Sequence, residues 1–106
     1  MCGTAAEYPS TTTIRVDLIK GWTPEWLRLE REDFIMAIGS ARPLEDATTR
    51  IAYRELVQWM QAEYGLDRWD AYMMLSQCRK VRLDNFVDPK YTVGAAIPKK
   101  YFAPAS

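Results

Sequence analysis

Two stretches of helical periodicity that meet near a glycine constrain the fold of this 106-residue chain more than any other feature. Pro43, Glu45 and Asp46 suit the first turn of a helix, and Gly65 suits the left-handed residue that ends one. We therefore predict a helix from about 44 to 64. Its broad apolar face should comprise the residues at helical spacing, which are Thr49, Tyr53, Leu56, Val57, Met60 and Tyr64. Outside the middle of this stripe lie Ile51, Ala52 and Trp59.

A second, shorter helix follows at once. Asp67 is a good N-cap, with Asp70 three residues further on, and the helix should cover about 68–78. Its core-facing residues have i, i+3, i+4, i+7 spacing and are Ala71, Met74, Leu75 and Cys78.

Extended runs flank the two helices. Residues 11–20 alternate, with Ile14, Val16 and Leu18 on one face, so they predict a half-buried strand that Gly21 ends. Residues 34–38 form a continuous apolar run, which is typical of a central strand covered on both faces.

Two more runs follow the helices. Val81 and Leu83 alternate with charged residues in a strand that Pro89 stops, and 93–98 predict a last short strand. The fold class is therefore α+β, with two consecutive helices packed on a mainly antiparallel sheet. A chain of this length suits a single domain over residues 1–106.

Charge and hydropathy narrow the functional classes. Lys plus Arg equals Asp plus Glu, so the zero net charge argues against a general nucleic-acid or membrane-surface binder. A near-zero charge instead favours self-association or a bound partner. No amino-terminal run resembles a signal peptide and none would span a bilayer, so a cytoplasmic protein is expected.

The four tryptophans predict an exposed docking surface. A single small core does not easily cover four indoles, and tryptophan is enriched among interface anchors. We expect exposure at Trp22, Trp26, Trp59 and Trp69, with burial inside the core an equal alternative for Trp59.

The chain has no histidine, so it cannot build a Ser-His-Asp or Cys-His catalytic set by itself. Cys2, followed by Gly3, is either a nucleophile or part of a frayed terminus, and Cys78 is a core thiol. Glu7, Asp84 and Asp88 are candidate oxygen ligands for a hard metal, with solvated surface carboxylates as the alternative. Near the end of the chain, Lys99 and Lys100 are expected to be a solvated pair, with a substrate-binding role as the alternative.

Several blocks resemble the acetamidase/formamidase family. They are CGTA at 2–5, AYMMLS at 71–76, VDP at 87–89 and IPKKYF at 97–102, together with the upstream segments TIRVDLIKG and FIMAIGSARPLEDA. The resemblance covers nearly the whole chain, but only the carboxy-terminal third or so of a typical family member.

This resemblance implies hydrolysis of small linear amides, such as formamide or acetamide, to a carboxylic acid and ammonia. It makes Cys2 and Glu7 the candidate catalytic residues and Asp88 the candidate substrate-binding residue. A divalent metal in the full-length family would be held mostly by residues outside this chain. The partner would be the amino-terminal part, a separate subunit or a second copy. The alternative is a non-catalytic interaction or oligomerisation domain.

Overall fold

A four-stranded antiparallel sheet carries the fold in the computed structural model, which describes residues 6–86 and 89–102. Its strands are β1 (Leu27–Glu30), β2 (Phe34–Ala41), β3 (Lys80–Asn85) and β4 (Tyr91–Pro98). They lie in the spatial order β1-β2-β4-β3. Two consecutive helices therefore pack on an antiparallel sheet, which confirms the predicted α+β class.

The helical part connects β2 to β3. A π-helical segment, Asp46–Tyr53, continues directly into α1 (Arg54–Tyr64), and α2 (Arg68–Cys78) follows. A short 3-10 turn, Lys99–Tyr101, comes after β4. The predicted helix from 44 to 64 is thus confirmed in extent, while its first half is wound more loosely than an α-helix.

Both helix ends that the sequence predicted are confirmed. Gly65 ends α1 in the left-handed conformation with φ of 68°, which a residue without a Cβ adopts at little cost. The Asp67 side chain caps α2, since its Oδ1 accepts hydrogen bonds from the backbone N–H groups of Trp69 at 2.7 Å and Asp70 at 3.0 Å.

The core lies between the helices and one face of the sheet. Its buried members are Ile35, Ala37, Ala52, Leu56, Trp59, Met60, Ala71, Leu75, Ala95 and Ile97. Ala52 and Trp59 are central here, whereas Thr49 is exposed, so the predicted stripe of the first helix was wrong in its centre. The loose first turns change the angular position of each residue, and a strict 3.6-residue period does not follow that change.

Gly39 sets how closely the helices approach the sheet. A Cβ at this position would clash with the carbonyl oxygen of Ala47 and lie 2.8 Å from Cγ2 of Ile51. Only a glycine lets the π-helical backbone contact β2 this closely.

The opposite face of the sheet has no helix over it among the described residues. The register pairs Leu27 with Ile38 and Leu29 with Met36, so these four side chains share this face. The expectation of a central strand is confirmed, because β2 lies between β1 and β4. The expected cover on both faces is not found among the described residues, where the two helices cover only one face. We call these four residues the outer apolar face.

The strand predicted at 11–20 was also wrong. Residues 6–19 have no regular secondary structure, and Ile14, Val16 and Leu18 are 76%, 85% and 81% exposed. Alternation shows that a segment is suited to a sheet, but a strand also needs a neighbouring strand to pair with. No described residue supplies one here.

Candidate functional site

The structure does not bring the sequence-predicted site residues together. Cys2 and Asp88 lie outside the described residues, and Glu7 lies on an exposed stretch without secondary structure. Their catalytic and substrate-binding roles therefore stay predictions.

The candidate metal ligands do not converge among residues 6–86 and 89–102. No group of three His, Cys, Asp or Glu side chains there could hold an ion. Asp84 lies at the end of β3, where its Oδ2 is 3.2 Å from the position that a Cβ on Gly94 would take. The described carboxylates do not fit a metal, so no chemical step of this chain is assigned to one.

A buried ion pair joins β1 to α1, and sequence reasoning missed it. Arg28 Nε donates to Glu55 Oε1 at 2.6 Å, and the two side chains are only 10% and 1% exposed. The guanidinium also lies 5.4 Å from the ring of Trp22 and 4.9 Å from that of Trp59. The two indoles shield the guanidinium from water, and this burial strengthens its attraction both to the Glu55 carboxylate and to the faces of the two rings.

This cluster also contains a buried carboxylate oxygen without a hydrogen-bond partner among the described atoms, and the carboxylate of Glu63. Glu55 Oε2 is buried without a hydrogen-bond partner among the described atoms. Trp59 Nε1 donates to Glu63 Oε2 at 2.7 Å. A sequence signal was available, because Glu55 and Trp59 are one helical turn apart and Arg28 alternates with two leucines. Nothing in the sequence, however, paired position 28 with position 55.

A basic groove of about 730 Å³ lies between α1 and α2. Arg54, Arg68 and Arg79 line it together with Tyr72 and Trp69, and no carboxylate of the described residues does. This arrangement favours an anionic or aromatic group.

A second hollow, of about 630 Å³, lies beside the outer apolar face and includes Lys99. Lys99 was expected to be a solvated lysine, but its Nζ pairs with Glu30 Oε1 at 2.7 Å. This hydrogen bond raises the pKa of Lys99 above its ordinary value. Tyr64 stacks on Phe102 with ring centroids 3.9 Å apart, and burial raises the pKa of its phenol. Both shifts move the pKa further above physiological pH, so Lys99 stays charged and Tyr64 stays neutral there.

Three of the four predicted indoles are exposed. Trp22, Trp26 and Trp69 are 43%, 39% and 67% exposed, whereas Trp59 is 3% exposed. Exposure is confirmed for the first three, whereas for Trp59 the structure shows the equal alternative, since its ring packs in the core against Arg28. Cys78 is a free, half-buried thiol on the apolar side of α2, as predicted.

Comparison with known proteins places the chain. No family model matches it, and no curated protein does. Among the described residues no helix is long and apolar enough to cross a membrane.

A solved structure does match. The crystal structure of an acetamidase from Yersinia enterocolitica is 62% identical to this chain, with a TM-score of 0.75. The match covers 80% of this chain but 26% of the acetamidase, an extent consistent with the predicted carboxy-terminal segment. The resemblance inferred from the sequence blocks is thus confirmed: this chain is similar, over most of its length, to a segment of an acetamidase.

Proposed function

We propose that this chain is the scaffold-bearing segment of an amide hydrolase and acts together with polypeptide equivalent to the rest of an acetamidase. The observation that supports this is the 62% identity over 80% of the chain. At that identity two segments share their fold and most of their contacts. The cytoplasmic address and the small linear amide substrate, acetamide or formamide, belong to this proposal.

Amide hydrolysis needs a polarised carbonyl, an activated nucleophile and a protonated leaving nitrogen. The described residues do not supply all three, because Glu7 is exposed and neither Cys2 nor Asp88 lies in their range. The chain therefore contributes a folded platform, and it brings Cys2, Glu7 and Asp88 to a site that other polypeptide completes.

A hybrid enzyme tests this proposal. The matched segment of the Yersinia enterocolitica acetamidase would be replaced by the corresponding residues of this chain, and ammonia release from acetamide and formamide would be measured. We expect the folded hybrid to keep the activity of the parent within about tenfold. A hybrid that folds, judged by circular dichroism and thermal unfolding, and releases no ammonia contradicts the proposal.

The same hybrid tests the candidate residues one by one, provided that its junctions are placed so that it includes positions 2, 7 and 88 of this chain. If they take part in catalysis, Cys2→Ala, Glu7→Gln and Asp88→Asn should each lower kcat/KM at least about 100-fold. A matched control is Glu32→Gln, since Glu32 is an exposed loop carboxylate outside the candidate set. An unchanged kcat/KM for any of the three removes that residue from the site.

A second candidate function is a non-catalytic interaction domain, which the outer apolar face and three exposed indoles favour. Copurification distinguishes the two. Recovery of this chain with a longer polypeptide that carries the other acetamidase segments supports the hydrolase, and recovery without one supports the interaction domain.

A further inference from the structure

Residues 11–19 form an exposed segment whose pattern is that of a strand. Arg15 Nε and Asp17 Oδ2 pair at 3.0 Å, so these side chains, two residues apart, lie on the same side. Between and around them, Ile14, Val16 and Leu18 expose most of their surface. Gly21, with φ of 72°, follows at the turn before the folded core.

The backbone of this segment has no partner in the described residues. None of the backbone hydrogen bonds between elements or in turns there involves residues 11–18. A row of free N–H and C=O groups beside an apolar face is a template for pairing with another strand.

The order of residues around Val16 fits a second copy. When two such segments pair antiparallel with Val16 opposite Val16, position 15 faces position 17 and position 14 faces position 18. Each Arg15 then faces an Asp17 of the other copy, and each Ile14 faces a Leu18. Both the charges and the apolar side chains match, which stabilises directly opposed residues.

Other registers lack this match. A shift of two residues places Arg15 opposite Arg15 or Asp17 opposite Asp17, and like charges directly opposite each other are destabilising. A shift of one residue moves charged side chains onto the apolar face. A parallel pair in register would again align like charges, and a parallel pair shifted by two residues would give one facing pair of Arg15 and Asp17 instead of two. The pattern therefore selects one two-fold arrangement, the symmetry of most homodimers.

We propose that two copies of this chain associate through residues 12–20, as an antiparallel ribbon whose two-fold axis passes at Val16. The zero net charge of the chain leaves no long-range repulsion between copies. A strand of another polypeptide would need no such symmetry in positions 14–18. The inference does not depend on amide hydrolysis.

Charge reversal tests the ribbon in the intact chain. Sedimentation equilibrium should show concentration-dependent dimers. Arg15→Asp and Asp17→Arg each place like charges opposite each other, so each should weaken self-association at least tenfold. An equimolar mixture of the two variants should form a heterodimer within about threefold of the original affinity, because every facing pair is then of opposite sign.

Two controls exclude other causes. Arg42→Asp makes the same change in net charge at an exposed position outside the segment and should leave association unchanged. A mixture of Arg42→Asp with Asp17→Arg combines two chains of opposite net charge, as the test mixture does. In that heterodimer Arg15 of one copy still faces the arginine introduced at position 17 of the other, so it should be weaker than the heterodimer of the test mixture. Thermal unfolding of all variants should match at concentrations where the chain is monomeric, because the segment does not pack in the core.

The ribbon also predicts slower amide hydrogen exchange at residues 12–20 as concentration rises. A chain that stays monomeric at millimolar concentration overturns the proposal. So do dimers that both single variants leave unchanged, or a mixture of the two that fails to recover, since either result assigns association to another surface.

Discussion

Replacing Gly39 by alanine adds a single methyl group but should lower the stability of the fold substantially. Its missing side chain leaves room for the Ala47 carbonyl oxygen, and a backbone atom cannot rotate away as a side chain can. Gly39→Ala should therefore force β2 and the π-helical segment apart and cost about 1–3 kcal/mol of unfolding free energy. Urea denaturation followed by circular dichroism measures this.

Gly94 provides the matched control. A Cβ there would approach Met36 Sδ at 2.9 Å and Asp84 Oδ2 at 3.2 Å, which are the ends of flexible side chains. Gly94→Ala should therefore destabilise the chain less than Gly39→Ala. The reverse order would show that the helices do not depend on the close approach at Gly39.

Asp67 gives the clearest pH dependence among the described residues. Hydrogen bonds from the backbone N–H groups of Asp70 and Trp69 lower the pKa of its carboxyl below 3.8. The folded state thus favours the ionised form, and the stability gained is complete above about pH 5 and lost as the pH falls through the lowered pKa.

Two variants check that sign. Asp67→Ala should unfold at a lower temperature near neutral pH, and its difference from the unsubstituted chain should narrow between about pH 5 and pH 2. Asp67→Asn keeps an acceptor that does not titrate, so its difference from Asp67→Ala should stay constant. A difference between the unsubstituted chain and Asp67→Ala that widens in acid would contradict the assignment.

Among the elements, β1 and α1 are held together by the pair of Arg28 and Glu55. Arg28→Met leaves the Glu55 carboxylate buried without its cation, which should cost about 3 kcal/mol of unfolding free energy. The double variant Arg28→Met, Glu55→Leu removes both charges and should recover most of that loss. Thermal unfolding of the single and double variants checks this, and equal losses in both would show that packing rather than the charge pair joins the elements.

The sequence predicted well those helix limits that depend on residues close by in the chain. The limits of α2 and the end of α1 depend on Asp67 and Gly65, whose caps act within a few residues. The strand at 11–20 failed because pairing depends on a distant neighbour, which periodicity does not report. For the same reason the pair of positions 28 and 55 escaped prediction: its members are 27 residues apart and belong to different elements.

At the scale of the whole molecule, the sheet has one face packed and one face open. Leu27 is 69% exposed on the outer apolar face, and Trp69 is 67% exposed on the other side of the chain. Large exposed apolar surface is unusual on a stable monomer and marks contact with other polypeptide. The open face is consistent with a chain that matches 26% of an acetamidase.

The candidate site could be predicted only through resemblance. Composition excluded a histidine-based catalytic set, but no spacing of carboxylates identified a reaction, and the described residues do not converge on one. In the proposed arrangement other polypeptide completes the site, so no pattern within this single segment would reveal the residues of the site.

The most direct test of the account is ammonia release from acetamide and formamide by this purified chain alone. Because the described residues do not assemble a nucleophile, a polarising group and a proton donor, the rate should be indistinguishable from that of buffer. A rate well above buffer that is lost in Cys2→Ala would contradict the account, since it would show that the chain holds a complete active site.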